Sequence, residues 1–257
     1  MTLANLGFDW SLLGAPLIAG LLVASTHVVL GRRVLERGII FIDISIAQVA
    51  ALGSILAATW GLAPSEGNGW QGQIAAGIAA LIASGLLAWT EQRLRFVQEA
   101  LIGSLYVISA SVALLVLSRN PHGAEHMQEL LAGQILWIGF GQVWPVLALY
   151  ALILAIWFLW ARRVPSAFYF LFALTVMASV QLVGVYLVFA TLILPALAAH
   201  GLRERTGLPL GWAVGAAGYA LGLWLSVPFD LPAGPLIVCM LAALALLASI
   251  VRALRKD

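Results

Sequence analysis

Apolar runs of about twenty residues, separated by short polar breaks, recur along the whole chain, and a helix of that length crosses a hydrocarbon core of roughly 30 Å. Hydropathy places spans near 11–31, 39–60, 72–90, 98–118, 142–161, 166–182, 183–200, 209–227 and 233–251. The piece from Met127 to Gly141, MQELLAGQILWIGFG, is too short to cross and return. It predicts a short re-entrant or interfacial helix, which survives at membrane depth only where protein or a water-filled cavity covers it. Gly184, in QLVGVYL, marks a tight turn between two spans that would otherwise fuse into one apolar run. Breaks of this kind point to a transporter or channel rather than an anchor. The expected fold class is an all-α polytopic membrane protein of about nine transmembrane helices plus the short helix, forming a single transmembrane domain over residues 1–257. No soluble domain, long linker, low-complexity tract or strong internal repeat is visible.

Composition narrows the class further. Of the 257 residues, 63% are hydrophobic and only 9% charged, with mean hydropathy +1.03, whereas a soluble domain carries roughly a quarter charged residues. The single cysteine, Cys239, lies in an apolar run, which excludes a disulfide framework and a cysteine-based metal site. The net charge of +2 says little, but its placement is informative. Arg32, Arg33 and Arg37 fall in one predicted loop, Arg93 and Arg95 in another, then Arg162 with Arg163, Arg203 with Arg205, and Arg252, Arg255 and Lys256 in the tail. With alternate loops on the same side, all thirteen basic residues except Arg119 lie together. The positive-inside rule then puts the C-terminus in the cytoplasm and the N-terminus outside. No basic residue precedes the first apolar run, so that run is expected to be a retained helix rather than a cleavable signal. Trp10, Trp70, Trp137 and Trp144 fall near the predicted outer boundaries, as an interfacial belt would have them.

Against this background the stretch FIDISIAQVAALG, residues 41–53, stands out for Asp43 and Gln48. A carboxylate near a helix centre costs on the order of 2.5–3.5 kcal/mol on insertion scales, so such residues face a cavity or a partner. Two readings stay open: Asp43 lines a path for a cation, or it pairs with Arg32, Arg33 or Arg37 nearby. In a regular helix Asp43, Ala47, Ala50 and Ser54 share one small-residue face, while Ser45, Gln48 and Leu52 lie on another. A π-bulge, which absorbs one extra residue, would bring Asp43 and Gln48 onto a common face.

A second polar group sits in PHGAEHMQE, with His122, Glu125, His126 and Glu129 on the outer side. His-x-x-Glu-His matches a zinc-protease motif in letters. That chemistry needs a helix, a distant third ligand and a wet cleft, whereas Pro121 and Gly123 start the segment as a loop. A metal-capturing mouth, a docking surface for a binding protein and a solvated polar loop are the readings that remain. His27 and His200 read as structural, Glu99 as a helix-start residue favoured by the dipole, and Asp230 as part of an outer turn.

Four segments, taken together and in order, resemble the permease subunit of bacterial ABC-type zinc/manganese importers: GRRVLERGIIFIDISIAQVAALG, EALIGSLYVISASVALLVLS, ELLAGQILWI, and QLVGVYLVFATLILPALAAHGL with PFDLPAGPLIV. The resemblance covers most of the chain and implies a type II ABC importer-like fold in the bacterial cytoplasmic (inner) membrane. It implies a homodimer or paired permeases in the lipid bilayer, a cytoplasmic ABC ATPase, and an extracytoplasmic metal-binding protein. Zinc or manganese would be the transported ion, with no tightly bound cofactor, no nucleic acid, and ATP held by the partner subunit. The chain has no Walker-type loop, so it is expected to be a transport subunit and not itself an enzyme. The translocation path would include Asp43, Ser45 and Gln48, and metal-contacting groups would include Asp43 with His122, Glu125 and His126. Two departures accompany the match. The family has Asp and His four residues apart in the second span, where this chain has Asp43 and Gln48 five apart, and the loop ARRVPSAF is shorter than the family's equivalent. They favour an alternative: a divergent member that moves another solute or works without a tightly bound ATPase.

Overall fold

Backbone amides and carbonyls in a bilayer must find partners within their own segment, which leaves helices as the natural form for these apolar runs. The computed structural model describes residues 10–63, 70–118, 135–160 and 163–254, and among them every regular element is helical. In chain order these are α1 (Trp10–Arg37), α2 (Ile42–Thr59), α3 (Trp70–Arg93), α4 (Gln98–Leu117), α5 (Phe140–Leu159), α6 (Pro165–Val183), α7 (Val185–Ala198), α8 (Glu204–Ser226) and α9 (Ala233–Leu254). Single 3₁₀ turns at Arg95–Val97 and Ile135–Trp137 lead towards α4 and α5.

Eight of the nine expected spans are helices long and apolar enough to cross a membrane. The exception is α7, whose 14 residues reach only about 21 Å at 1.5 Å per residue. Gly184 alone separates it from α6, with a positive φ of 81° that a residue with a Cβ rarely adopts. At its other end the chain turns through Gly201 at φ 76°.

The three arginines expected in a loop are instead helical. α1 continues through Arg32, Arg33 and Arg37 and stops only before Gly38, which has φ 70°. Arginine, leucine and glutamate are good helix formers, so the helix outlasts the apolar run and ends at the glycine. Of the predicted short helix at 127–141, residues 127–134 lie outside the described residues; the remainder holds the turn Ile135–Trp137 and the start of α5.

The chain forms two compact units. One comprises most of α1, the first part of α5, and α7 to α9. Here close helix approach is set by small residues, as in membrane bundles generally. A Cβ on Gly222 of α8 would sit 2.6 Å from the Ile237 Cα of α9, and Gly31 of α1 leaves no room for one against the Leu192 carbonyl of α7. The buried Tyr219 hydroxyl and the Thr191 hydroxyl hydrogen-bond at 2.8 Å. Two guanidinium groups close the C-terminus of α7: Arg32 donates to the carbonyls of Ala199 (3.3 Å) and Leu202 (2.9 Å). Arg252 donates to those of Ala198 and His200. The Ala199 carbonyl also accepts from the Leu202 N–H at 3.2 Å, and the cations complement the dipole at the helix end.

The other unit comprises α2 to α4, the rest of α5 and most of α6. Within it α2 packs on both α3 and α4. Gly53 meets α3 so closely that a Cβ would lie 2.8 Å from the Ala75 carbonyl oxygen. Leu52 and Ile55 pack with Ala113, Val116 and Leu117 of α4.

Candidate functional site

The polar residues of α2 sit in a helix that is buried on most of its circumference. Its start is held from outside: the Phe41 backbone N–H donates to Glu99 Oε1 of α4 at 3.2 Å. The Glu99 carboxylate thus caps α2, a cross-helix role beyond the helix-start role the sequence suggested for it within α4 alone. Asp43 lies in the first turn of α2, where a negative charge is favoured by the helix dipole.

Asp43 is 1% exposed, and neither of its carboxylate oxygens has a hydrogen-bond partner among the described residues. The three arginines nearest in sequence are engaged elsewhere. Arg32 bonds the end of α7, Arg33 pairs with Glu36 at 2.9 Å, and Arg37 pairs with Glu91 at 3.3 Å. Of the two readings left open by the sequence, the ion pair with these arginines is therefore not formed.

Successive residues step about 100° around a helix, which fixes what each face of α2 meets. Gly53 marks the side against α3 and Leu52 with Ile55 the side against α4. Asp43, Ala47, Ala50 and Ser54 form a third face, centred away from both of these directions. Asp43, Ala47 and Ala50 on it are buried. Ser45 and Gln48 lie towards the α4 side; the Ser45 hydroxyl and the Gln48 amide nitrogen are buried without a hydrogen-bond partner among the described residues.

The π-bulge is not there. α2 is an unbroken α-helix from Ile42 to Thr59, so Asp43 and Gln48 stand about 140° apart on its surface and do not converge. His122, Glu125, His126 and Glu129 lie outside the described residues. Among the described residues no three His, Cys, Asp or Glu side chains gather in a way that could hold a metal ion.

The secondary candidates resolve as structural. His27 is buried, with Nδ1 2.9 Å from the Val23 carbonyl and 3.1 Å from the Thr26 hydroxyl. His200 lends its carbonyl to Arg252. Asp230 adopts φ 51° in the turn between α8 and α9. Trp10, Trp70, Trp137 and Trp144 are all exposed. Sequence reading missed Glu91, which faces Arg37 from α3. The signal was present, since a carboxylate near the end of an apolar helix needs a cation, but its partner lies 54 positions away.

A chain whose described elements are all helical, with eight of membrane length and an unpaired, buried carboxylate on one of them, is a multi-pass membrane protein with a polar element inside a helix bundle. The chain belongs to the ABC 3 transport family, whose model matches residues 10–168 and 161–252. It is 29% identical over 168 residues to the chelated iron transport system membrane protein YfeC of Yersinia pestis, a match covering 57% of each protein. It is 23% identical over 262 residues to the manganese transport system membrane protein MntC of Halalkalibacterium halodurans, covering 93% of this chain and 87% of that one. Its fold is similar to that of PsaBC from Streptococcus pneumoniae, solved in complex with Fab, with TM-score 0.73 at 20% identity over 92% of this chain and 90% of the other.

Proposed function

We propose that the chain is the membrane permease of an ABC importer for a divalent transition metal of the zinc or manganese class. The observation that carries this reading is Asp43: a fully buried carboxylate with no partner among the described residues, on a helix face it shares with the small residues Ala47, Ala50 and Ser54. Such a group is expensive to hold in a bilayer and earns its place by meeting a cation in transit. The names of two relatives, one a manganese and one a chelated-iron transport protein, support the same class.

In this mechanism the chain supplies half of a path that opens alternately to each side, and pairs with a second permease. Two Asp43 carboxylates would then offset the charge of one divalent ion. The Asp43 carboxylate is an oxygen donor, which manganese and zinc both accept. His122, Glu125 and His126 would capture the ion at the outer mouth, with the N-terminus outside and the C-terminus cytoplasmic. A cytoplasmic ATPase drives the switch, and an extracytoplasmic binding protein delivers the metal; the permease itself carries no catalytic site and no resident cofactor. The placing of Gln48 on a different face from Asp43 favours a second reading, in which the same fold moves another solute.

Radioactive manganese and zinc uptake, measured in cells expressing the complete transporter with wild-type or Asp43→Asn permease, tests the proposal. Loss of uptake in the variant, at unchanged permease abundance and with the ATPase still co-purifying, is expected. Undiminished uptake, or reproducible absence of any ATPase partner, sinks it.

A further inference from the structure

Within the unit containing α7 to α9, a groove of about 590 Å³ runs between α7 and α9. Its walls are apolar, formed by residues such as Leu194, Leu197 and Leu246, and one end is polar, formed by His200, Ser249 and Arg252. Leu197 and Leu246 are 50% and 63% exposed, so the groove opens to the surroundings of the helix bundle. None of its lining residues is acidic. From Ala242 to Ala253 it runs along α9 for about 17 Å at 1.5 Å per residue, close to the roughly 15 Å that one leaflet contributes to the hydrocarbon core. Its one charged lining residue is the cation Arg252, near the C-terminal end of α9.

We infer that this groove is a binding site for an anionic phospholipid, with an acyl chain along the α7–α9 walls and the phosphate beside Arg252. Charge and shape together select the occupant. An apolar channel one leaflet deep, ending at a cation in the interface, complements an acyl chain joined to a phosphate, and basic pockets between membrane helices are where anionic headgroups collect. Arg252 contributes twice: its guanidinium ties α9 to the carbonyls of Ala198 and His200, while its charge remains available to the phosphate. A bound lipid would thereby brace the short helix α7 from the bilayer side. Lipid binding here requires only the membrane setting of the proposed function and not its cargo.

Native mass spectrometry of the full-length permease, titrated in detergent with dioleoylphosphatidylglycerol or dioleoylphosphatidylcholine, tests it. Wild type should retain the anionic lipid in preference to the zwitterionic one. Arg252→Gln should weaken that preference about fivefold, the worth of one basic residue near an anionic surface. Because Arg252 also holds α7, a second variant fills the groove from its wall: Ala242→Trp should abolish binding while the protein keeps its melting temperature. Equal retention of both lipids, or binding that survives Ala242→Trp, overturns the inference. So does efficient crosslinking between copies through Leu246→Cys in a Cys239→Ser background, which would show a second permease seated in the groove. Metal uptake is not read in any arm, so failure here leaves the importer reading standing.

Discussion

Arg37 at the end of α1 and Glu91 near the end of α3 meet through one guanidinium nitrogen, which lies 3.3 Å from each carboxylate oxygen. The same guanidinium stacks 4.5 Å from the Phe168 ring centroid and 5.5 Å from that of Tyr169 on α6. The side chains are only 22% and 23% exposed. Within the second unit one cation thus meets a carboxylate of α3 and two rings of α6, and the contributions of charge and stacking can be separated. Arg37→Ala should destabilise the protein by about 1–2 kcal/mol, the sum of a partly shielded ion pair and a cation–π contact. Arg37→Lys keeps a point charge for Glu91 but loses the flat stacking surface, so it should recover part of that loss. Thermal unfolding in detergent, run on both variants and on Glu91→Gln, checks the ordering; equal loss in the Ala and Lys variants would assign the whole effect to stacking.

A residue kept for transport rather than for stability has a distinctive signature. Asp43 has no partner among the described residues to lose, so Asp43→Asn removes a buried acidic group without stranding another. The variant should unfold at the same or a higher temperature, with a gain of about 1 kcal/mol or more given the roughly 2.5–3.5 kcal/mol that a buried carboxylate costs on insertion scales. Uptake should fall at the same time. Stability and uptake falling together would instead make Asp43 a structural residue.

Local forces are the ones a sequence displays. The spans and the anomaly at Asp43 were legible because each depends on the polarity of consecutive residues against one solvent, the bilayer. The true end of α1 was not, since hydropathy stops at Arg32 while helix propensity carries the backbone on to Gly38. The 183–200 run looked long enough to span, but α7 stops at Ala198 and its last carbonyls are taken by Arg32 and Arg252, distant in sequence. For the site, the spacing of Asp43 and Gln48 already placed them on different faces. Only the packing of Gly53, Leu52 and Ile55 reveals which directions from α2 lead to α3 and to α4.

That geometry predicts how a metal site can be built on α2. Gln48→His supplies an imidazole but leaves it about 140° from Asp43, so zinc affinity should change little. Ala47→His places the imidazole four residues after Asp43 on the same face, where carboxylate and imidazole can share one ion. Zinc binding to the purified permease should tighten at least tenfold, about 1.4 kcal/mol, in the Ala47 variant alone. Isothermal titration calorimetry distinguishes the two. Equal tightening by Gln48→His would mean that the residues converge across two copies rather than within one.

The end of α7 offers the last test, because its length makes its anchoring matter. With 14 residues it cannot reach both faces of the bilayer core, and the carbonyls just past its end would lose charged donors if the guanidinium groups were removed. Arg32 supplies the carbonyls of Ala199 and Leu202, and Arg252 those of Ala198 and His200. Hydrogen bonds from charged donors are worth about 1.5–3 kcal/mol each, so one arginine lost should loosen the end locally without unfolding the bundle. Arg32→Gln is therefore expected to raise hydrogen exchange at the amides of residues 196–202 by at least tenfold, about 1.4 kcal/mol of local opening, with α2 and α3 unchanged. Arg32→Lys should restore little, since the two carbonyls are met by two separate guanidinium nitrogens held in a fixed fork, which a single ammonium nitrogen does not reproduce. Unaltered exchange at 196–202 in Arg32→Gln would mean that Arg252 alone holds the helix, and the double variant would then show the full loss.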